Sequence, residues 1–303
     1  MAAGARMLVD PNVRQEHPVA VATAPSVTTR PLAADIDVFG LTHPGNVRRV
    51  NQDQFLIASL HKTMQVHASS VPATQLGDLT SEMRLYLCIV ADGVGGRPGG
   101  EQASGTALRA IAQYATHTMR LSSRNDEAHE SRFLEELERA VAESHAAVLV
   151  DPESSATTLT MAVFRWPSTY LVHVGDSRCY RLRDGRLEQL TKDQTMAQAL
   201  VDAGVLPASR ASETKWAHVL SSALGAEQPR PVITTLNNQW DDAMLLCTDG
   251  LTKHVTDEEI AEQLATVKSS EAICRNLIDR ALSRGGSDNV TVVAGHLRER
   301  ASA

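Results

Sequence analysis

The sequence predicts an α+β protein whose helices are segregated onto largely antiparallel sheets. Three observations carry that expectation. The order of elements is strands, two helices, many strands, two helices and a strand, without the regular βαβα alternation of a parallel sheet. The apolar runs are mostly short and bounded by Gly or Asp turns, too brief for comfortable helices. Across 303 residues, 43% are apolar but only 4% aromatic, which implies a sizeable core of aliphatic side chains and alanine.

Taken in order, residues 1–33, with Pro11, Pro18, Pro25 and Pro31, lack any sustained period and read as a flexible leader. Residues 34–298 read as one domain, because acid-bearing strands come from both halves, and 299–303 as a tail. Strands are expected at 36–41, 54–58 and 85–91, the last two joined by a polar connection over 61–83. Helices follow at about 100–119, with Ala103, Ala107, Leu108 and Ile111 inward, and 131–149, where Phe133, Leu137, Val141 and Val148 recur at helical spacing. Strand-like runs occupy 157–164, 169–174 and 178–182, and Asp184-Gly185 turns the chain into 187–190.

Thr191 and Gln194 are spaced as a capping box for a short helix stopped by Gly204, and 205–230 are irregular. Strands at 231–236 and 243–248 precede two helices, the first capped by Thr256 with Glu259 reaching back. The second puts Ile273, Leu277, Ile278 and Ala281 on one face, and the chain closes on a strand at 290–294.

The formal charge of −7 argues against nucleic acid or an anionic membrane as partner. No apolar run approaches the roughly 18 residues of a membrane span, and the amino terminus lacks a secretory h-region. Cys88, Cys179, Cys247 and Cys274 are far apart, three of them in apolar runs, as expected of reduced buried thiols in a cytoplasmic protein. Among the eleven histidines there is no His-Glu-x-x-His and no Cys/His cluster, so zinc has no evident site.

The chemistry lies in aspartates at strand ends. Asp92 follows Leu85–Ala91, Asp176 follows Tyr170–Gly175, Asp249 follows Ala243–Thr248, and Asp288 stands just before the last strand. In an antiparallel arrangement those ends lie on one side. One such acid alone is a turn cap; four of them would repel unless a cation intervened. An all-oxygen set favours hard ions such as Mg²⁺ or Mn²⁺. Arg48 and Arg49, shortly before Asp53, offer a guanidinium able to fork two phosphate oxygens.

Six motifs occur in one order: Arg48-x-x-Asn51-x-Asp53, Val90-Ala91-Asp92-Gly93-Val94-Gly95-Gly96, Ala156-Thr157-Thr158-Leu159-Thr160, Val174-Gly175-Asp176-Ser177-Arg178, Thr248-Asp249-Gly250-Leu251 and Ser287-Asp288-Asn289-Val290-Thr291. Over about residues 36–297 the chain resembles the metal-dependent serine/threonine protein phosphatases, the type 2C phosphatases, especially stand-alone bacterial members. The resemblance implies a four-layer α-β-β-α sandwich, two central antiparallel sheets flanked by helices. It implies hydrolysis of phosphoserine and phosphothreonine by a hydroxide bridging two divalent ions, Mn²⁺ or Mg²⁺. Asp92 would bridge both ions, the Gly93 carbonyl would bind one, Asp249 and Asp288 the other, and Asp176 with Asp249 a third, weaker one. Arg48 would bind phosphate, Asp53 would hold metal-bound water, and residues 191–230 would form a flap. Phosphoprotein targets of a Ser/Thr kinase are the partners this implies.

Two departures stand out. Gln52 replaces the family's usual Glu, which favours the alternative of a catalytically weak regulatory or phosphoprotein-binding relative. Val94 leaves no obvious general acid, His43, His61 and His254 being conceivable substitutes. A calcium-binding structural domain is disfavoured, because no Asp-x-Asp-x-Asp-Gly loop occurs.

Overall fold

The computed structural model describes residues 30–63, 68, 71, 80–94, 99–119, 127–151 and 153–299. From Pro31 onward these form one unit. The leader over 1–29, the last four residues and most of the 64–79 connection lie outside the described residues.

Ten strands pair into two five-stranded sheets. The first has the order β1 (Ile36–His43), β10 (Val290–Leu297), β9 (Ala243–Cys247), β6 (Arg178–Arg183), β7 (Arg186–Gln189). The second has the order β2 (Asp53–Thr63), β3 (Thr80–Asp92), β4 (Leu159–Arg165), β5 (Ser168–Val174), β8 (Val232–Asn237). Every neighbouring pair is antiparallel. The α+β expectation and the four-layer sandwich therefore hold.

Alternation along each strand explains the layering, since successive side chains face opposite sides. On β3, Leu85, Leu87, Ile89 and Ala91 pack with α1 (Gly100–His117) and α2 (Glu127–Val150). Val90, one step out of phase, meets Ala162, Leu171, Cys179, Leu246 and Val293 in a cluster drawn from both sheets. Val290, Val292 and Ala294 of β10 and Leu245 of β9 pack on the opposite outer face, against α5 (Asp257–Thr266) and α6 (Ser270–Ser283). All four cysteines are free thiols, and no helix among the described residues is long and apolar enough to cross a membrane.

The capping box at Thr256 and Glu259 is formed as expected. The one at Thr191 is not. Helix α3 spans Met196–Asp202, and Thr195 caps it by accepting from the Gln198 N–H at 3.2 Å. Thr191 Oγ1 instead accepts from Cys179 N, and Gln194 Oε1 from Gly175 N, each at 3.0 Å. Both side chains are drawn into tertiary bonds that sequence spacing could not reveal. Gly204 does end the helix, at φ 69°. A one-turn helix, α4 (Asp249–Thr252), was not anticipated from the sequence.

Candidate metal centre

The sheet topology brings the predicted acids to one end of the sandwich. Strands β3 and β5 both run antiparallel to β4, so Asp92 and Asp176 leave the same edge. In the facing sheet β9 ends where β10 begins, which places Asp249 beside Asp288. Asp92, Gly93, Asp176, Asp249, Asp288 and Arg48 all line one cavity of about 910 Å³. Asp53 lies beneath it, directly opposite Asp92 in the β2–β3 register.

Backbone clamps hold this arrangement. The Asp92 N–H donates to Thr158 Oγ1 at 2.9 Å, while the Asp92 carbonyl accepts from Thr158 N at 2.9 Å and Thr157 Oγ1 at 3.0 Å. Asn289 ties the Arg48 loop to the start of β10. Its Nδ2 donates to the Pro44 and Val50 carbonyls at 2.9 and 3.0 Å, and its Oδ1 accepts from Gln52 N at 2.9 Å. Gly250 permits the closest approach: a Cβ there would overlap the Asn289 carbonyl oxygen. Gly250→Ala is expected to cost about 1–3 kcal/mol, as overpacking does, and to push Asp249 away from Asp288. Thermal unfolding in chelator, compared with wild type, checks this.

Charge around the site is unbalanced. Burial first, then Asp53, Asp249, Asp176 and Asp288, raise the Asp92 carboxyl well above its ordinary range. Burial, with Asp249 adding, pushes Asp176 up to about 7. Asp53, 1% exposed, is also pushed up to about 7 by burial, although Thr248 and Thr291 donate to its Oδ2 at 2.7 and 2.8 Å. Its Oδ1 is buried with no hydrogen-bond partner among the described residues. Asp288 differs: burial works against its charge, yet Lys253 and Arg48 hold it below the usual value. Arg48 Nε lies 2.8 Å from Asp288 Oδ1, and Nη2 3.1 Å from Oδ2.

The donor set suits a hard divalent cation. Every predicted ligand is a carboxylate or backbone oxygen, Asp92 has no ion-pair partner among the described residues, and Asp53 Oδ1 is an orphaned buried acceptor beside it. The side chains do not stand as a finished cage, however. Among the described residues no three His, Cys, Asp or Glu side chains already form a metal-holding group. Lys253, which the sequence reading passed over, lies between two of the acids, with Nζ 2.7 Å from both Asp249 Oδ2 and Asp288 Oδ2.

The segment over 191–230 is rooted beside the site. Gln194 N donates to Gly175 O at 2.7 Å, and Leu224 N to Thr157 O at 2.8 Å. Residues from His218 to Arg230 contribute to the cavity wall, whereas His43, His61 and His254 do not line it. His254 Nε2 accepts from Ser287 N at 3.1 Å instead. Gln52 does line the cavity, its side chain lying against Gly100.

The site sets clustered acids and an arginine at one end of a sandwich of two antiparallel sheets, and comparison with known proteins gives the family. The family model described as protein phosphatase 2C matches residues 77–286. The chain belongs to that family. It is 38% identical over 213 residues to the serine/threonine protein phosphatase PstP of Mycobacterium tuberculosis, a match covering 68% of this chain but 39% of that longer protein. It is 32% identical over 209 residues to the serine/threonine phosphatase stp of Listeria welshimeri, covering 68% of this chain and 82% of the relative. The catalytic domain of PstP, solved in complex with two manganese ions, superposes with a TM-score of 0.65 at 31% identity, covering 87% of this chain and 99% of that one.

Proposed function

We propose that this chain hydrolyses phosphoserine and phosphothreonine in proteins, using two divalent ions, Mn²⁺ or Mg²⁺, held at the end of the sandwich. The observation that carries the reading is the meeting of Asp92, Asp249 and Asp288 with Arg48 on one cavity; family membership and the manganese-bound PstP domain support it. Asp92, the Gly93 carbonyl, Asp249 and Asp288 would hold the two ions, and Asp176 with Asp249 would provide for a third. Bound there, the ions would supply Lewis acidity and a water acidified towards neutral pH.

The chain's own groups do the rest. Arg48, turned from Asp288 onto the substrate, forks two phosphate oxygens and steadies charge that grows on them during in-line displacement. Asp53 has one oxygen committed to Thr248 and Thr291, leaving Oδ1 to accept a proton-bearing donor from the site and fix its orientation. His218 and Arg230 line the cavity that would receive the peptide. A cytoplasmic phosphoprotein, the target of a Ser/Thr kinase, is the partner this chemistry suits, and four free thiols accord with that compartment.

The test is release of phosphate from a phosphothreonine peptide with Mn²⁺ and after chelation. Turnover that survives complete metal removal would overturn the reading. Arg48→Ala is expected to lower kcat/KM by roughly 10- to 100-fold, the worth of charge-assisted hydrogen bonds of about 1.5–3 kcal/mol. Arg48→Lys should restore little of it, because an ammonium cannot fork two oxygens. Steady-state kinetics at saturating Mn²⁺ measures both.

A further inference from the structure

Lys253 has no part in the chemistry assigned above, yet it occupies the middle of the acidic group. It follows Asp249 by four residues, across the single turn of α4, a spacing that lays its stem over that acid. Its ammonium, which has three donors, reaches Oδ2 of Asp249 and Oδ2 of Asp288 at 2.7 Å each. Asp249 opens α4 just after β9 and Asp288 stands just before β10, so the contact joins the end of β9 to the start of β10. The side chain is 24% exposed, against 18% and 21% for its partners, so water screens the group only in part. Arg48 closes the other side of Asp288.

We infer that Lys253 is a tethered counter-ion of the Asp249–Asp288 pair, which a divalent ion must displace in order to bind between those carboxylates. The inference rests on the metal reading proposed above. A monovalent charge fixed to the chain competes with a divalent one in solution for the same oxygens. The metal-free protein then avoids the repulsion of two uncompensated acids, and the pair binds its ion less tightly than the carboxylates alone would allow. The four-carbon stem is flexible enough to swing clear towards solvent once the ion arrives.

Calorimetric titration of Mn²⁺ into the chelator-stripped full chain tests this, with wild type, Lys253→Met, Lys253→Gln and Lys253→Arg compared. The two neutral variants are expected to bind the Mn²⁺ between Asp249 and Asp288 about tenfold more tightly or better, as loss of a like charge a few ångströms away allows. Lys253→Arg, which keeps the charge, should stay close to wild type. In chelator the neutral variants should melt below wild type, and in Mn²⁺ that deficit should close. Equal Mn²⁺ affinity in wild type and both neutral variants would overturn the inference and leave the metal reading intact. No Mn²⁺ uptake by any of the four proteins would overturn both.

Discussion

Asp92→Ala is expected to reduce Mn²⁺-dependent phosphate release by on the order of a thousandfold, with metal saturating, because it removes a carboxylate proposed above to hold the two ions. Asp92 ends β3, with its backbone clamped by Thr157 and Thr158, and it faces Asp53, Asp176, Asp249 and Asp288. Asp92→Asn keeps the shape and removes the charge. It should lose turnover equally while melting higher than wild type in chelator, since it deletes a carboxylate that burial and four acids disfavour. That combination separates loss of chemistry from loss of folding. Wild-type turnover no greater than that of Asp92→Ala would remove the catalytic reading.

Asp53→Asn is expected to remove a loss of stability that the metal-free protein suffers as pH rises. Below about pH 4 the Asp53 carboxyl is protonated in both folded and unfolded chains. Between its ordinary 3.8 and about 7 the folded chain keeps a proton that the unfolded chain has lost. This site's contribution therefore declines through that window and is gone above about pH 7, where the folded metal-free protein carries a buried charge. The cost there is on the order of 4 kcal/mol. The asparagine removes it but leaves one amide nitrogen without an acceptor, worth about 1–3 kcal/mol. A net gain of roughly 1–3 kcal/mol in chelator at pH 8, turning into a net loss of about 1–3 kcal/mol near pH 4, is the expected result. Urea unfolding at the two pH values reads it. With Mn²⁺ saturating, wild type should regain the advantage, and the variant should turn over more slowly.

Much of this was legible in the chain. The short apolar run Leu85–Ala91 and the helical period of Phe133, Leu137 and Val141 are local patterns, and each lies where expected, in its predicted strand or helix. The capping box at Thr256 is local too. What escaped depends on partners far away in sequence. Thr191 has the right spacing for a cap, but Cys179 claims its hydroxyl. Thr248 and Thr291 look like ordinary strand residues until both are found on Asp53. Lys253 reads as a surface charge after a turn, and only the approach of Asp288, 35 positions on, makes it part of the site.

By itself the sequence determined the fold class, the strand ends at which acids stand, and the order of motifs that marks the family, because hydrophobic period and turn chemistry act over a few residues. Only the tertiary structure decided that Asp53 lies opposite Asp92, that one oxygen of Asp53 is left unpartnered, and that an ammonium already spans Asp249 and Asp288. Those facts follow from antiparallel register and from two sheets closing on each other, which bring together charges that no local pattern relates.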